Sequence, residues 1–186
     1  MTNVPRETTG LLAREDCVLV VIDVQEKLMP AISNQKRVVA NVVRLIKFSN
    51  IIGLPIIVTE QEKLGNTLAE VRSELGNTTS ISKVCFNCFF CQDFADEVRR
   101  LGRNTLILTG AEAHICVAQT AIHAAPRFNV QAVSDAISSR TRQNWLVSLA
   151  RMQQNGVSIT STEMFIYEIL QKAGTDEFKA TLKLVK

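Results

Sequence analysis

Residues 17–24 read CVLVVIDV, a nearly unbroken run of apolar, largely β-branched side chains. A strand that is apolar at successive positions, without alternation, is buried on both faces, as happens in a parallel sheet covered by helices on each side. The rest of the chain fits that demand. Val38, Val39, Val42, Leu45, Ile46 and Ile52 follow a 3.6-residue period behind a cap at Ser33 or Asn34, and Gly53 ends the helix. Residues 55–59 (PIIVT) form a second strand after a short turn. Residues 60–79 are polar and irregular, with a short helix near 68–75. Strands at 81–84, 105–109, 130–133 and 157–160 then alternate with helices at 93–101, 117–125, 143–154 and 162–172, with Gly102, Pro126, Gly156 and Gly174 as stops. Alternation of this kind predicts an α/β protein: three layers, α/β/α, around a six-stranded, mainly parallel sheet.

A length of 186 residues suits one domain with one substantial core. We divide it into an N-terminal arm, residues 1–16, and a domain over 17–186. The first sixteen residues are polar and include Glu7, Glu15 and Asp16, unlike a signal or transit peptide. Five cysteines without such a leader predict free thiols and a cytoplasmic protein. The net charge of +3 comes from dispersed Lys and Arg, and there is one Trp and one Tyr, so no nucleic-acid partner is expected. No apolar stretch approaches the roughly 20 residues that span a bilayer, so no membrane partner is expected either.

In doubly wound folds, functional side chains gather at the carboxyl ends of the strands. The first strand ends in Asp23, followed by Gln25; the third ends near Lys83; the fourth leads through a turn to Cys116. A carboxylate, an ammonium and a thiol from separate strands would meet in one crevice. A cysteine entering a helix faces the positive end of its dipole, and the Lys83 ammonium would also favour thiolate, the attacking form. Asp23 would take the thiol proton and return it to a leaving amine. Backbone N–H groups of the 110–116 turn would stabilise an oxyanion. The alternative for Cys116 is a small buried hydrophobe, the usual fate of a free cysteine.

Three segments carry a resemblance: Val21-Ile22-Asp23-Val24-Gln25, Ser82-Lys83-Val84-Cys85-Phe86-Asn87-Cys88-Phe89 and Gly110-Ala111-Glu112-Ala113-His114-Ile115-Cys116-Val117, with Ser161-Thr162-Glu163-Met164 a softer match. The chain resembles the isochorismatase-like cysteine hydrolases, a superfamily that also holds nicotinamidases and N-carbamoylsarcosine amidohydrolases. The resemblance implies a catalytic triad of Asp23, Lys83 and Cys116, a six-stranded parallel sheet and a homo-oligomer. It also implies a non-proline cis peptide at Ala111–Glu112, turning the Glu112 N–H toward the oxyanion beside that of Cys116. The expected reaction is hydrolysis of a small amide-like C–N bond through a thioester. A non-catalytic interaction module that keeps the scaffold is the alternative.

Nicotinamidases hold a metal with an Asp-x-His and a further His. Here the corresponding stretch reads Thr59-Glu60-Gln61-Glu62-Lys63, and the chain's two histidines, His114 and His123, lie elsewhere. No metal and no cofactor are expected. Isochorismate-cleaving members usually lack the cysteine, so Cys116 points to acyl or amide chemistry. Cys85-x-x-Cys88-x-x-Cys91 looks like part of a cluster signature but has no fourth ligand, position 95 being Ala. Gln25, Phe86, Phe89 and His114 are the substrate-pocket candidates for a small-molecule substrate. Gln25 reads equally as a loop brace and His114 as a turn residue. The Glu112 side chain would be turned away and hydrogen-bonded, since an acid beside an oxyanion opposes catalysis.

Overall fold

The first strand, β1 (Cys17–Ile22), is buried at every position. Its side chains divide between two cores: Cys17, Leu19 and Val21 face one way, Val18, Val20 and Ile22 the other. The computed structural model describes residues 10–185. Among these described residues the remaining strands and α-helices are α1 Gln35–Ile52, β2 Ile56–Gln61, α2 Ala69–Arg72, β3 Ser80–Lys83, α3 Gln92–Leu101, β4 Thr105–Ala111, α4 Ala118–Ala124, β5 Asn129–Ser138, α5 Arg142–Gln154, β6 Ser158–Thr160, α6 Thr162–Leu170 and α7 Asp176–Val185. The strands form one six-stranded sheet in the order β3-β2-β1-β4-β5-β6. Every pairing is parallel.

Helices α1 and α6 cover one face, where Phe48 and Phe165 meet edge to face with ring centroids 6.0 Å apart. Helices α3, α4 and α5 supply the other core, with Phe94, Val98, Ala118, Ala121 and Met152. A parallel sheet sealed on both sides leaves only its strand ends open for chemistry. Two backbone features shape that end. Asp23 leaves β1 at φ +53°, and Gly110 of β4 has φ +109°. A Cβ on Gly110 would lie 1.9 Å from the Ile22 carbonyl oxygen, so only glycine lets β1 and β4 close there.

Some elements differ from the sequence expectation. β3 ends on Lys83, one residue earlier than expected. β5 runs on to Ser138, past polar residues that the pattern had placed outside it. Those residues have partners: Ser134 Oγ donates to the Thr160 carbonyl, and Asp135 Oδ1 accepts from the backbone N–H and hydroxyl of Thr162. The segment after Gly174, to which no element was assigned, forms α7, whose Phe178, Leu184 and Val185 pack against the α1 side of the core. Of the N-terminal segment, residues 10–16 are described. Leu12 is buried and its N–H donates to Glu168 Oε1 at 2.7 Å, while Arg14 pairs with Glu177 at 2.8 Å.

Candidate active site

Register brings the polar strand ends together. Ile22 pairs with Thr59 and with Gly110, and Gln61 pairs with Lys83, so residues just past these points share one rim. Thr59 and Gln61 are two apart on β2 and therefore project from the same face. Thr59 donates its hydroxyl to Asp23 Oδ1 at 2.8 Å. The other carboxylate oxygen accepts from Lys83 Nζ at 2.7 Å, with both side chains 0% exposed. The same ammonium donates to Gln61 Oε1 at 2.8 Å and lies 3.8 Å from Cys116 Sγ. The carboxylate, the ammonium and the thiol anticipated from the sequence do meet.

The electrostatics correct one expectation. Cys116 is 6% exposed. Burial pushes its thiol well above the ordinary range, the Asp23 carboxylate pushes it further, and Lys83 opposes both without prevailing. These influences work against the thiolate that Lys83 was expected to favour. Nor does Cys116 start α4; it lies in a wider turn, Ala113–Val117, ahead of that helix. Burial is the largest single influence on the Lys83 ammonium and opposes it, but Asp23, Cys88 and Cys116 together outweigh it and the lysine pKa is raised.

The turn carrying Cys116 is tied down on its outer side. The Ala111–Glu112 peptide is cis. The Glu112 carboxylate is buried and faces outward, pairing with Arg140 Nε at 3.0 Å and accepting from the Arg140 backbone N–H at 3.2 Å. His114 Nδ1 lies 2.9 Å from Ser139 Oγ, and its Nε2 lies 3.3 Å from the Asn144 side-chain nitrogen.

The four pocket candidates separate in space. Gln25 is fully buried, and its amide is committed to Gln61 and Gly65: Nε2 donates to their carbonyls at 3.0 and 2.7 Å, and Oε1 accepts the Gln61 N–H at 2.9 Å. It braces a loop. His114 serves the Ser139 side of the turn. Phe89 stacks on His123 (5.3 Å) and meets Phe94 (5.1 Å) and Phe128 (5.7 Å), helping to line a cavity of about 430 Å³ between α3 and α4. His123 follows Cys116 by about two helical turns. Phe86 is 53% exposed on the loop that follows Lys83. Cys88, on the same loop, is buried; Lys83, Asp23, Thr59 and Thr120 act on its thiol, which burial pushes up to about 11. Cys85 and Cys91 are half-buried, with their thiols against the carbonyls of Phe90 and Ser82.

Gln61 escaped the sequence reading because β2 was ended at residue 59 and the residues beyond it were read as irregular, while Thr59 was placed at the end of that strand without a role. Polar side chains two apart at the end of an apolar strand are the signal that marks them.

A model of the isochorismatase domain matches residues 17–164. The chain belongs to the isochorismatase-domain family. Isochorismatase domain-containing protein 2A of Mus musculus is 32% identical over 97% of this chain and 88% of its own length. The Danio rerio isochorismatase domain-containing protein 2 is 33% identical over 95% of this chain and 90% of its own length. A Phytophthora sojae relative, 32% identical over 95% of this chain and 88% of its own, is named a secreted isochorismatase effector. Among solved structures, the Caenorhabditis elegans MAR1 ribonuclease superposes with a TM-score of 0.87 at 31% identity, covering 94% of this chain and 92% of that one. The Escherichia coli YcaC product, described as an octameric hydrolase of unknown specificity, superposes with a TM-score of 0.88 at 22% identity, over 94% and 88% of the two chains. The fold of this isochorismatase-domain chain is thus that of the family's hydrolases.

Proposed function

We propose that this isochorismatase-domain protein is a cysteine hydrolase that cleaves a small amide-like C–N bond through a thioester on Cys116. The supporting observation is the contact set around one ammonium: Lys83 Nζ is 2.7 Å from Asp23 and 3.8 Å from the Cys116 sulfur. As sulfur adds to the substrate carbonyl, Asp23 accepts the thiol proton, so the ionised sulfur exists only during attack. The oxyanion is held by the backbone N–H groups of Glu112 and Cys116. Collapse of the adduct breaks the C–N bond, and Asp23 passes its proton to the departing amine. Water then attacks the thioester with Asp23 again as base, releasing the acid and restoring the thiol. Lys83 keeps Asp23 ionised between these transfers. All groups come from the chain itself and water, so the proposed chemistry is metal-free and cofactor-free.

Replacing Cys116 with Ala tests this directly. Ammonia release from a panel of small primary amides is expected to vanish, along with iodoacetamide adducts at residue 116, while the melting temperature stays close to wild type. Undiminished turnover by the variant overturns the proposal. The non-catalytic reading is favoured by one observation, the deep burial of a thiol pushed upward. It predicts that Cys116 resists iodoacetamide even in alkaline buffer. The nematode relative's name puts single-stranded RNA in the same screen; the dispersed positive charge of this chain supports no cleavage there.

Homo-oligomerisation is proposed from apolar side chains left exposed on the covering helices of both faces: Leu146 and Val147 on α5, and Met164 and Tyr167 on α6. All five cysteines are free, which supports work in a reducing compartment such as the cytoplasm. Among the described residues no helix is long and apolar enough to cross a membrane.

A further inference from the structure

We propose that Gln61 is a positioning residue of the thiol site, its side-chain amide fixing the Lys83 ammonium so that one N–H is left facing Cys116. This rests on the hydrolase reading above. An ammonium has three N–H donors and no acceptor. Two are taken at Lys83, by Asp23 Oδ2 at 2.7 Å and Gln61 Oε1 at 2.8 Å, and the sulfur lies in reach of the third at 3.8 Å. With Asp23 alone, the ammonium could swing about a single bond. A second acceptor on a different strand removes that freedom.

Gln61 is itself held on all sides. Its Nε2 donates to the Val84 carbonyl at 2.6 Å, one residue beyond Lys83. Its backbone N–H and carbonyl are both bound by the Gln25 amide, at 2.9 and 3.0 Å. The neighbours also settle which way the Gln61 amide points. Lys83 can only donate, so it needs the oxygen; the Val84 carbonyl can only accept, so it needs the nitrogen. Glutamine meets a further requirement, because it accepts from the ammonium without adding charge. A carboxylate there would compete with Asp23 and set a second negative group near the sulfur.

The experiment compares full-length wild type, Gln61→Leu and Gln61→Glu. It follows the rate of iodoacetamide addition at Cys116 by peptide mass mapping from pH 6 to 10, alongside melting temperature. For Gln61→Leu we expect a slower rate near neutrality, on the order of ten- to a hundredfold, with the pH profile displaced upward. Gln61→Glu keeps an acceptor for Lys83, so its rate is expected between those two forms, with a profile again displaced upward by the added charge. If Gln61→Leu does not fold, the profile of Gln61→Glu carries the test. A purely structural role predicts lowered melting temperatures with wild-type rates and profiles, which would overturn the inference and leave the hydrolase reading standing. If wild-type Cys116 does not react at all, the hydrolase reading falls first and the inference with it.

Discussion

Two carboxylate–cation pairs bracket the turn that carries Cys116, and they differ chiefly in their access to water. The inner pair, Asp23 with Lys83, is 0% exposed on both sides. The outer pair, Glu112 with Arg140, has an arginine side chain 55% exposed and a glutamate 8% exposed. In water the outer contact is screened and stabilises little. Sealed away, the inner charges cannot be solvated, so each depends on its partner and on the neutral groups Thr59 and Gln61 around it. A carboxylate in that setting can exchange a proton with a neighbouring thiol without competition from solvent. The outer pair only holds the turn in place.

The largest effect is expected where the inner pair depends on backbone closeness. Gly110→Ala puts a methyl group 1.9 Å from the Ile22 carbonyl. It should cost more than about 4 kcal/mol, at the extreme of single substitutions, and the variant should be recovered unfolded or aggregated, as read by circular dichroism. Next, Lys83→Met leaves Asp23 buried without a partner and should cost about 3–5 kcal/mol in urea unfolding. Adding Asp23→Asn should recover much of that stability and none of the activity. If the single variant loses under 1 kcal/mol, the two pairs do not differ as described.

A smaller effect should appear at alkaline pH. Burial raises the Cys88 thiol from its ordinary 9.0 to about 11, against the lowering influence of Lys83. The folded chain therefore holds this proton more tightly than the unfolded chain. That stabilisation is fully present below pH 9 and is lost between about 9 and 11. The slope is about 1.4 kcal/mol per pH unit for one thiol. Cys88→Ala should flatten the decline in melting temperature over that window by one thiol's share. Smallest of all, Arg140→Ala should cost about 1 kcal/mol or less, with the loss shrinking in high salt.

The parts of this site that follow from strand-end logic were legible early. Asp23 follows the most apolar strand, Lys83 closes a short one, and Cys116 lies on the turn after another, so topology alone brings them to one rim. Burial entered the sequence reading only as the alternative for Cys116, a small buried hydrophobe. The expectation that Lys83 and a helix end favour thiolate gave no weight to desolvation or to the charge of Asp23, and both push the thiol upward. Gln25 and Phe89 looked like pocket residues because they neighbour the triad in sequence. Rotation along the chain carries their side chains into a loop brace and a separate aromatic cluster. α7 was missed because Gly174 reads as a stop, while its apolar residues find their partners on α1, far away in the chain.

The central claim is that sulfur at position 116 takes up the acyl group of a small amide while Asp23 carries the proton. Intact-mass spectrometry after millisecond acid quench, with a panel of small primary amides as probes, tests it most directly. Wild type is expected to gain the acyl mass on the peptide containing Cys116, and Asp23→Asn to show none. Amide hydrolysis that proceeds with no adduct at Cys116, or an adduct that forms equally in Asp23→Asn, contradicts the account.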